Sequence, residues 1–292
     1  PDAVWVMQGW MFGYQRHIWN ADSLKALLSK VPDDQMLLLD LAADYNKTFW
    51  HNGMNWDVFK GFFNKPWVYS VIPNMGGKCA MTGVIDFYAN GHLEALESAS
   101  KGKLAGMGMA PEGIENNDVL YELVTDAAWR DRRENVEQWL ENYCRARYGA
   151  CPDSLKTAWS LFRSTAYSNL KDHPRFNWQL KPGARSSSVD ASEDFLRGLA
   201  LFVNTEGLEH SPLFRQDAVD HIHQINCIVF QSFTGVDRGK INLAVGIGFF
   251  LLNNLLQSFH ACQKRRRRCF AARKRPQDCK LVFTVDAAAR QI

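Results

Sequence analysis

Long hydrophobic runs are missing from this chain of 292 residues. The longest, Leu243 to Leu252, is too short to cross a bilayer, which takes about 20 apolar residues, and Asn253-Asn254 ends it. The N-terminal residues contain no apolar core of a secretory signal and open directly on a strand-like segment. We therefore predict no membrane span, a buried helix at 243–252, and a chain that is a piece of a longer protein.

Metal-binding spacings are also missing, because the seven cysteines match none of them. Cys144 and Cys151 could form a local disulfide in an oxidising compartment, although an odd total leaves at least one thiol over. Asn46-Lys47-Thr48 is a single N-glycosylation sequon, which weakly favours secretion. No metal site is predicted.

A basic surface is lacking outside one segment. The net charge is +3, but residues 264–280 alone hold nine Lys or Arg and one Asp, so the rest of the chain is negative. The run Lys264–Arg268 would suit a nuclear signal or a nucleic-acid contact. Its abrupt onset without apolar periodicity favours a disordered, aberrant end instead, and no nucleic-acid partner is predicted for the body.

Four segments have the continuous apolar character of buried parallel strands: Val4–Gln8, Gln35–Leu41, Trp67–Ile72 and Leu104–Met109. They begin about 31 to 37 residues apart, the length of one strand–helix unit, and helices are predicted at 22–30 and 91–100. Four such units make half of a (β/α)₈ barrel. A flavodoxin-like sheet is the alternative, although no strand precedes a glycine-rich phosphate loop. Half a barrel leaves two open edges, so we expect the other half before residue 1.

From about residue 131 the pattern becomes helical. Amphipathic helices are predicted at 136–144, 154–167, 191–201 and 214–230. The predicted fold class is α/β and then all-α. Residues 1–131 would form the C-terminal half of a TIM barrel, 132–256 part of an all-α domain, and 257–292 the atypical basic tail.

The segment GMGMAPEGI, Gly106–Ile114, joins a strand to a turn and then to a helix. Pro111 restricts Ala110 to extended geometry, and the glycine after Glu112 permits a sharp turn. The following Asn116-Asn117-Asp118 offers N-caps for a helix. A carboxylate at a strand end before a helix is where α/β barrels place catalytic groups, and a surface-turn or helix-capping glutamate is the alternative.

The chain contains three short sequence motifs, PDAVWVMQGW at 1–10, PWVYSVIPNMGG at 66–77 and MGMAPEGIENN at 107–117. These motifs closely resemble those of the α-N-acetylglucosaminidases of glycoside hydrolase family 89. They occur in the family's order and at about its spacing. The resemblance is strong over residues 1 to about 150, patchy to about 235, and fades after about 256. It implies a TIM-barrel hydrolase for terminal α-linked N-acetylglucosamine on glycans such as heparan sulfate, lysosomal or secreted, with no cofactor.

Glycoside hydrolysis needs one carboxylic acid to protonate the leaving oxygen and a second carboxylate to stabilise or capture the oxocarbenium-like centre. Glu112 fits the second role, and the resemblance implies that it is the nucleophile of a retaining enzyme. The family's acid/base glutamate lies in an Asn-Glu pair at an earlier strand end, and this sequence has no such pair. We therefore expect the proton donor upstream, and the chain alone to be inactive.

The resemblance also implies five substrate-binding residues. Trp10 follows a strand and could stack on a sugar ring, with core packing as the alternative. Leu41, Ile72 and Met75 match apolar pocket positions, and Ile72 and Met75 depart from the family by volume-tolerant substitutions. His173 matches a substrate-facing histidine contributed by the helical domain, with a surface-loop histidine as the alternative.

The leading hypothesis is thus a retaining exo-glycosidase whose partner is a glycan with terminal α-N-acetylglucosamine. The alternative is a carbohydrate-binding relic that lacks the acid/base residue. A third hypothesis, a nucleic-acid binder that uses the basic tail, predicts strongly salt-dependent binding. The sequence leaves a homo-oligomer open.

Overall fold

The computed structural model describes residues 3–75, 81, 83–112, 117–170, 193–208, 210–218 and 221. The strands are β1 (Trp5–Gln8), β2 (Met36–Asp40), β3 (Pro66–Val71), β4 (Gly83–Val84), β5 (Lys103–Met109) and β6 (Ser168–Asn169). β1, β2, β3 and β5 form one parallel sheet in that order, and β4 and β6 pair antiparallel. Four consecutive parallel strands confirm the predicted strand–helix repeat.

Helices follow each strand of the sheet and make up most of the described residues after residue 117. They are α1 (Trp10–Tyr14), α2 (Ala21–Leu28), α3 (Ala43–Thr48), α4 (Asn55–Val58), α5 (Lys60–Asn64), α6 (Ile85–Glu97), α7 (Asp118–Ala127), α8 (Val136–Tyr148), α9 (Asp153–Ser164) and α10 (Glu193–Val203), and residues 212–218 are also helical. Within the described ranges no helix is both long and apolar enough to cross a membrane. The predicted helix at 243–252 and the tail at 257–292 lie outside those ranges.

The two faces of the parallel sheet differ in burial. On the covered face, Met36, Leu38 and Asp40 of β2 and Trp67, Tyr69 and Val71 of β3 are all buried against helices. On the open face, the alternating residues Leu37, Leu39 and Val68 are only partly buried. Since neighbouring side chains of a strand point to opposite faces, this alternation assigns Leu37, Leu39 and Val68 to one side of the sheet, where Ser70 is also found but is buried.

The prediction misplaced α6, which begins at Ile85 and ends at Glu97 rather than spanning 91–100. Gly91 lies inside the helix, where a Cβ atom would approach the Tyr69 hydroxyl to 2.8 Å and a Phe87 ring carbon to 2.7 Å. The glycine therefore permits close packing of helix on sheet and does not mark a helix start. The short helices α1, α3 and α4 were not predicted, because they are too brief to show periodicity.

Arg147 on α8 connects the helical part of the chain to α7. Its guanidinium binds Asp217 twice, with Nε–Oδ2 at 2.7 Å and Nη2–Oδ1 at 3.0 Å, and it also contacts Asp118 and Glu122 of α7. Tyr148 donates a hydrogen bond to Asp217 at 2.7 Å. This largely buried network fixes α8 against the start of α7, which directly follows the Glu112 segment.

The structure supports neither of two sequence features that are associated with secretion. Cys144 and Cys151 are buried free thiols that hydrogen-bond to each other, so the local disulfide left open by the sequence is not formed. Asn46 of the sequon is fully buried on α3. The folded chain therefore cannot carry a glycan on Asn46, and the sequon gives no support for secretion.

Candidate functional site

The carboxyl ends of the four parallel strands meet at one edge of the sheet. The pairing continues beyond the strands, because the Gly9 N–H donates to the Leu39 oxygen at 2.7 Å and the Ala110 N–H donates to the Val71 oxygen at 3.0 Å. This edge therefore carries the segments in which the sequence places its candidate site. In α/β barrels, the corresponding edge carries the catalytic residues.

An apolar cluster covers this edge. Its buried members are Leu41, Ala42, Tyr45, Ile72 and Leu170, and the partly buried residues packed on it include Trp10, Met75 and Ala110. We call these eight residues the strand-end cluster. It unites four of the five predicted substrate-binding residues, Trp10, Leu41, Ile72 and Met75, although they come from three separate strand–helix units. The fifth, His173, lies outside the described residues.

Glu112 lies two residues after Ala110 and is exposed at the rim of the same edge. The glycine turn and the residues up to 116 lie outside the described ranges, and α7 begins at Asp118. The strand before Glu112 and the helix after it are thus confirmed, and the predicted turn between them lies outside the described residues. Because Ala110 packs on the strand-end cluster, the carboxylate is held near the cluster by a chain of only two residues.

Trp10 is only partly buried, so it is neither a core residue nor a free surface residue. It is the first residue of α1, and its indole N–H donates a hydrogen bond to the Gln8 side-chain oxygen at 3.2 Å. That bond restrains the ring at the end of β1. A restrained, partly exposed tryptophan at the rim of an apolar cluster is suited to stacking on a sugar ring.

Asp44, which was not predicted from the sequence, holds in place the backbone segment that carries Ile72 into the strand-end cluster. Its buried carboxylate accepts the Ile72 N–H at 3.2 Å and the Tyr88 O–H at 2.6 Å. Burial raises the pKa of Asp44 to about 6, and these two hydrogen bonds oppose the rise. The carboxylate fixes the backbone at the end of β3, where Ile72 enters the cluster. Only the tertiary structure reveals this contact, because Asp44 and Ile72 are 28 residues apart.

Asp40 ends β2, but its side chain belongs to the covered face and is fully buried. Burial raises its pKa to about 7, while a 2.8 Å hydrogen bond from Asn55 and the charge of Arg16 lower it. A carboxylate on this face supports the fold and does not face the rim. Across the part of the chain that the structure describes, no group of three or more His, Cys, Asp or Glu could hold a metal ion.

Asn117 stands at the N-cap position of α7, as predicted, but its side chain does not cap the helix. Its amide nitrogen donates to the Asn74 side-chain oxygen, and its own oxygen accepts the Tyr167 O–H at 3.1 Å. All three residues are buried. They join the turn after β3, the segment after Glu112 and the helical part of the chain. The helix thus begins where the sequence predicts an N-cap, while the Asn117 side chain bonds to residues distant in sequence and not to the first turn.

Comparison with known proteins assigns the chain to a family. Residues 1–131 match the model described as "Alpha-N-acetylglucosaminidase (NAGLU) tim-barrel domain". Residues 139–234 match the model of the same family's C-terminal domain. The chain belongs to the α-N-acetylglucosaminidase family. The family resemblance found from three short sequence motifs is therefore confirmed.

Individual members of the α-N-acetylglucosaminidase family are also similar to this chain in sequence or in structure. The human α-N-acetylglucosaminidase is 28% identical over 231 residues, which cover 76% of this chain and 30% of that protein. A family 89 glycoside hydrolase from Clostridium perfringens in complex with PUGNAc has a TM-score of 0.64 at 24% identity, covering 87% of this chain and 29% of its own. The same organism's enzyme in complex with its substrate GlcNAc-α-1,4-galactose has a TM-score of 0.62 at 23% identity, covering 88% and 29%. The chain thus spans about a third or less of its relatives.

Proposed function

We propose that the protein containing this chain is a retaining exo-glycosidase that removes terminal α-linked N-acetylglucosamine from glycans such as heparan sulfate. The strand-end cluster supports this proposal most directly. It gathers Trp10, Leu41, Ile72 and Met75 at one edge of a parallel sheet, with Glu112 at the rim. An aromatic ring, an apolar floor and a carboxylate are the components that bind and cleave a sugar.

In this proposal Glu112 is the nucleophile. Its ionised carboxylate attacks the anomeric carbon while an acid protonates the departing glycosidic oxygen, which gives a covalent glycosyl–enzyme. Water then attacks the same carbon, the former acid accepts the proton from that water, and Glu112 leaves. Two displacements retain the anomeric configuration. We propose that the acid/base residue lies on an earlier strand, since the chain has no Asn-Glu pair at a strand end.

We further propose that the sheet is half of a (β/α)₈ barrel and that its open face lines the barrel interior. Leu37, Leu39 and Val68 on that face are branched aliphatic residues, the type that fills barrel cores, and they are only partly buried. Trp5 and Val6 of the edge strand β1, and Val4 just before it, are also exposed over about half of their surface. Further strands of the same barrel would cover both the face and the edge.

The location is proposed by analogy with the family. A lysosomal or secreted protein would fit a glycan substrate.

The proposal is tested with the full-length protein and an α-N-acetylglucosaminide that has a chromogenic leaving group. We expect Glu112→Gln to lower kcat by at least about a thousandfold, because the amide cannot form the glycosyl–enzyme. Glu206→Gln is the matched control, since Glu206 is an exposed glutamate in the helical part. Proton NMR of the first product formed should show the α-anomer of N-acetylglucosamine.

Two results would count against the proposal. Wild-type turnover by Glu112→Gln would remove Glu112 as the nucleophile, and an initial β-anomer would remove the retaining mechanism. The alternative, a carbohydrate-binding relic, predicts that the wild-type protein binds N-acetylglucosamine without hydrolysing any of its α-glycosides.

A further inference from the structure

A row of aromatic side chains extends outward from the strand-end cluster. The ring centroids of Trp10 and Tyr14 are 5.9 Å apart, those of Tyr14 and Trp50 are 5.3 Å apart, and those of Trp50 and Tyr45 are 5.6 Å apart. Phe49 continues the row at 5.7 Å from Tyr45. We call these five residues the aromatic row. Trp10 and Tyr45 belong to the strand-end cluster and Trp50 packs against it, so the row begins inside the candidate site.

The row becomes more exposed with distance from the cluster. Tyr45 is buried and Trp10 and Trp50 are partly buried, whereas Tyr14 is 58% exposed and Phe49 is 41% exposed. Trp10 and Tyr14 are four residues apart on α1 and therefore lie on the same face of that helix. The surface thus presents adjacent aromatic rings whose inner members belong to the candidate sugar pocket.

The rings are held in place by polar contacts behind them. Asn52 donates a side-chain hydrogen bond to the Gly13 oxygen at 2.8 Å, and Arg16 donates one to the Gly53 oxygen at 2.8 Å. Both bonds tie the segment after Trp50 to the segment around α1. Tyr14 and Trp50 are therefore fixed beside each other by the fold, so a ligand that stacks on them need not order them first.

We propose that the aromatic row binds the sugar units that follow the terminal N-acetylglucosamine of the substrate glycan. This inference rests on the proposed function, because the terminal sugar must occupy the strand-end cluster for the next units to reach Tyr14 and Trp50. A pyranose ring has an apolar C–H face that stacks on aromatic rings, while its hydroxyl groups remain in water. The accessible rings of Trp10, Tyr14 and Trp50 offer such stacking surfaces side by side, starting at Trp10.

The position of the row favours a glycan over a second protein. It is continuous with the strand-end cluster, whereas a protein contact has no reason to start in a sugar pocket. The adjacent rings are tilted by 46° and 50° to each other, so they offer separate stacking surfaces for successive sugars and no single flat patch.

The experiment compares two substrates of the full-length protein. One is α-N-acetylglucosaminyl fluoride, whose leaving group cannot reach the row. The other is a heparan-type tetrasaccharide with terminal α-N-acetylglucosamine. We expect Tyr14→Ala to lower kcat/KM on the tetrasaccharide about three- to tenfold, the effect of losing one stacked ring, and to leave the fluoride unaffected. Tyr14→Phe keeps the ring and should keep most of the activity.

Trp129→Ala is the matched control, because Trp129 is 91% exposed and lies at the end of α7, outside the row. It should alter neither substrate. Calorimetry measures the same contact without catalysis. It compares binding of the tetrasaccharide to the Glu112→Gln variant with binding to the double variant that also carries Tyr14→Ala. A three- to tenfold weaker affinity is expected when the ring is removed.

The inference is overturned if Tyr14→Ala affects both substrates equally, or neither, or if the affinity of the Glu112→Gln variant does not change. The first result would show that the row only supports the pocket. A failure of the proposed function is distinguishable, because it would appear as hydrolysis of the fluoride by Glu112→Gln, whatever Tyr14→Ala does.

Discussion

On β2 and β3, both faces of the parallel sheet carry large apolar residues, but the two faces bury them unequally. Leu38 on the covered face is fully buried, and its neighbour Leu39 on the open face is only partly buried. Trp67 and Val68 on β3 differ in the same way. An apolar residue on a sheet face predicts that another part of the protein packs on it, but it does not identify that part. The difference therefore supports our proposal that further barrel strands cover the open face.

The faces also differ in chemistry. The covered face contains buried polar groups with specific partners, such as Asp40 with Asn55 and Tyr88 with Asp44. The open face of β5 carries Gly106 and Gly108, and a Cβ at Gly106 would meet no atom within 4 Å. The covered face is thus packed against its own helices, whereas the open face has free space at Gly106, although a Cβ at Gly108 would approach the Ser70 hydroxyl to 2.8 Å. The predictions below test this contrast, in the order of their expected effects.

Trp67→Ala should destabilise the protein most, by about 4 kcal/mol, because it empties a fully buried site between Trp56 and Phe62. It also leaves the Lys101 oxygen without the indole N–H that lies 2.7 Å away. The free energy of unfolding in urea measures the loss. Trp129→Ala, which removes a 91% exposed ring, should change it by less than about 0.5 kcal/mol.

Leu38→Ala and Leu39→Ala form a matched pair that tests the open face. If barrel strands cover that face in the full-length protein, both should cost about 3 kcal/mol and agree within about 1 kcal/mol. The reason is that a partly buried leucine becomes a core residue when the barrel closes. A Leu39→Ala cost well below that of Leu38→Ala in urea unfolding would show that the open face stays exposed.

Stability should fall as the pH rises from about 4 to about 7. The folded-state pKa values of Asp40, about 7, and Asp44, about 6, both exceed the usual 3.8, so the folded protein binds more protons across this window. Unfolding in urea at pH 5 and pH 7.5 should differ by on the order of 2 kcal/mol for Asp40, in favour of pH 5. Asp40→Asn should reduce this difference in unfolding free energy. A wild-type protein that is more stable at pH 7.5 than at pH 5 would refute the predicted pH dependence.

Tyr88→Phe should have the smallest effect, about 1 kcal/mol, because it removes one hydrogen bond from a carboxylate that keeps the Ile72 N–H. It should also raise the pKa of Asp44 further, since the Tyr88 hydroxyl lowers it. Carboxyl NMR titration of Asp44 measures this shift. Tyr121→Phe, on α7, is the control and should leave the Asp44 titration unchanged.

Much of the fold could be predicted, and the missed parts have local causes. The four strands were found to within about two residues, because buried parallel strands are continuously apolar. The start of α6 was missed because Gly91, which usually weakens a helix, is required there by the close approach of Tyr69. The site was predicted as a set of strand ends, but its supports, Asp44 and the Asn74–Asn117–Tyr167 chain, connect residues too distant in sequence to show a pattern.

The sequence by itself determined the strand–helix repeat, the position of Glu112 after a strand, and the family to which the chain belongs. These three features depend on local apolar periodicity and on short sequence motifs, and both are properties of neighbouring residues. Only the tertiary structure decided that Trp10, Leu41, Ile72 and Met75 form one cluster, that Asn46 is buried, and that the aromatic row runs outward from the cluster. Such facts depend on which segments the sheet brings together, and no local pattern encodes that.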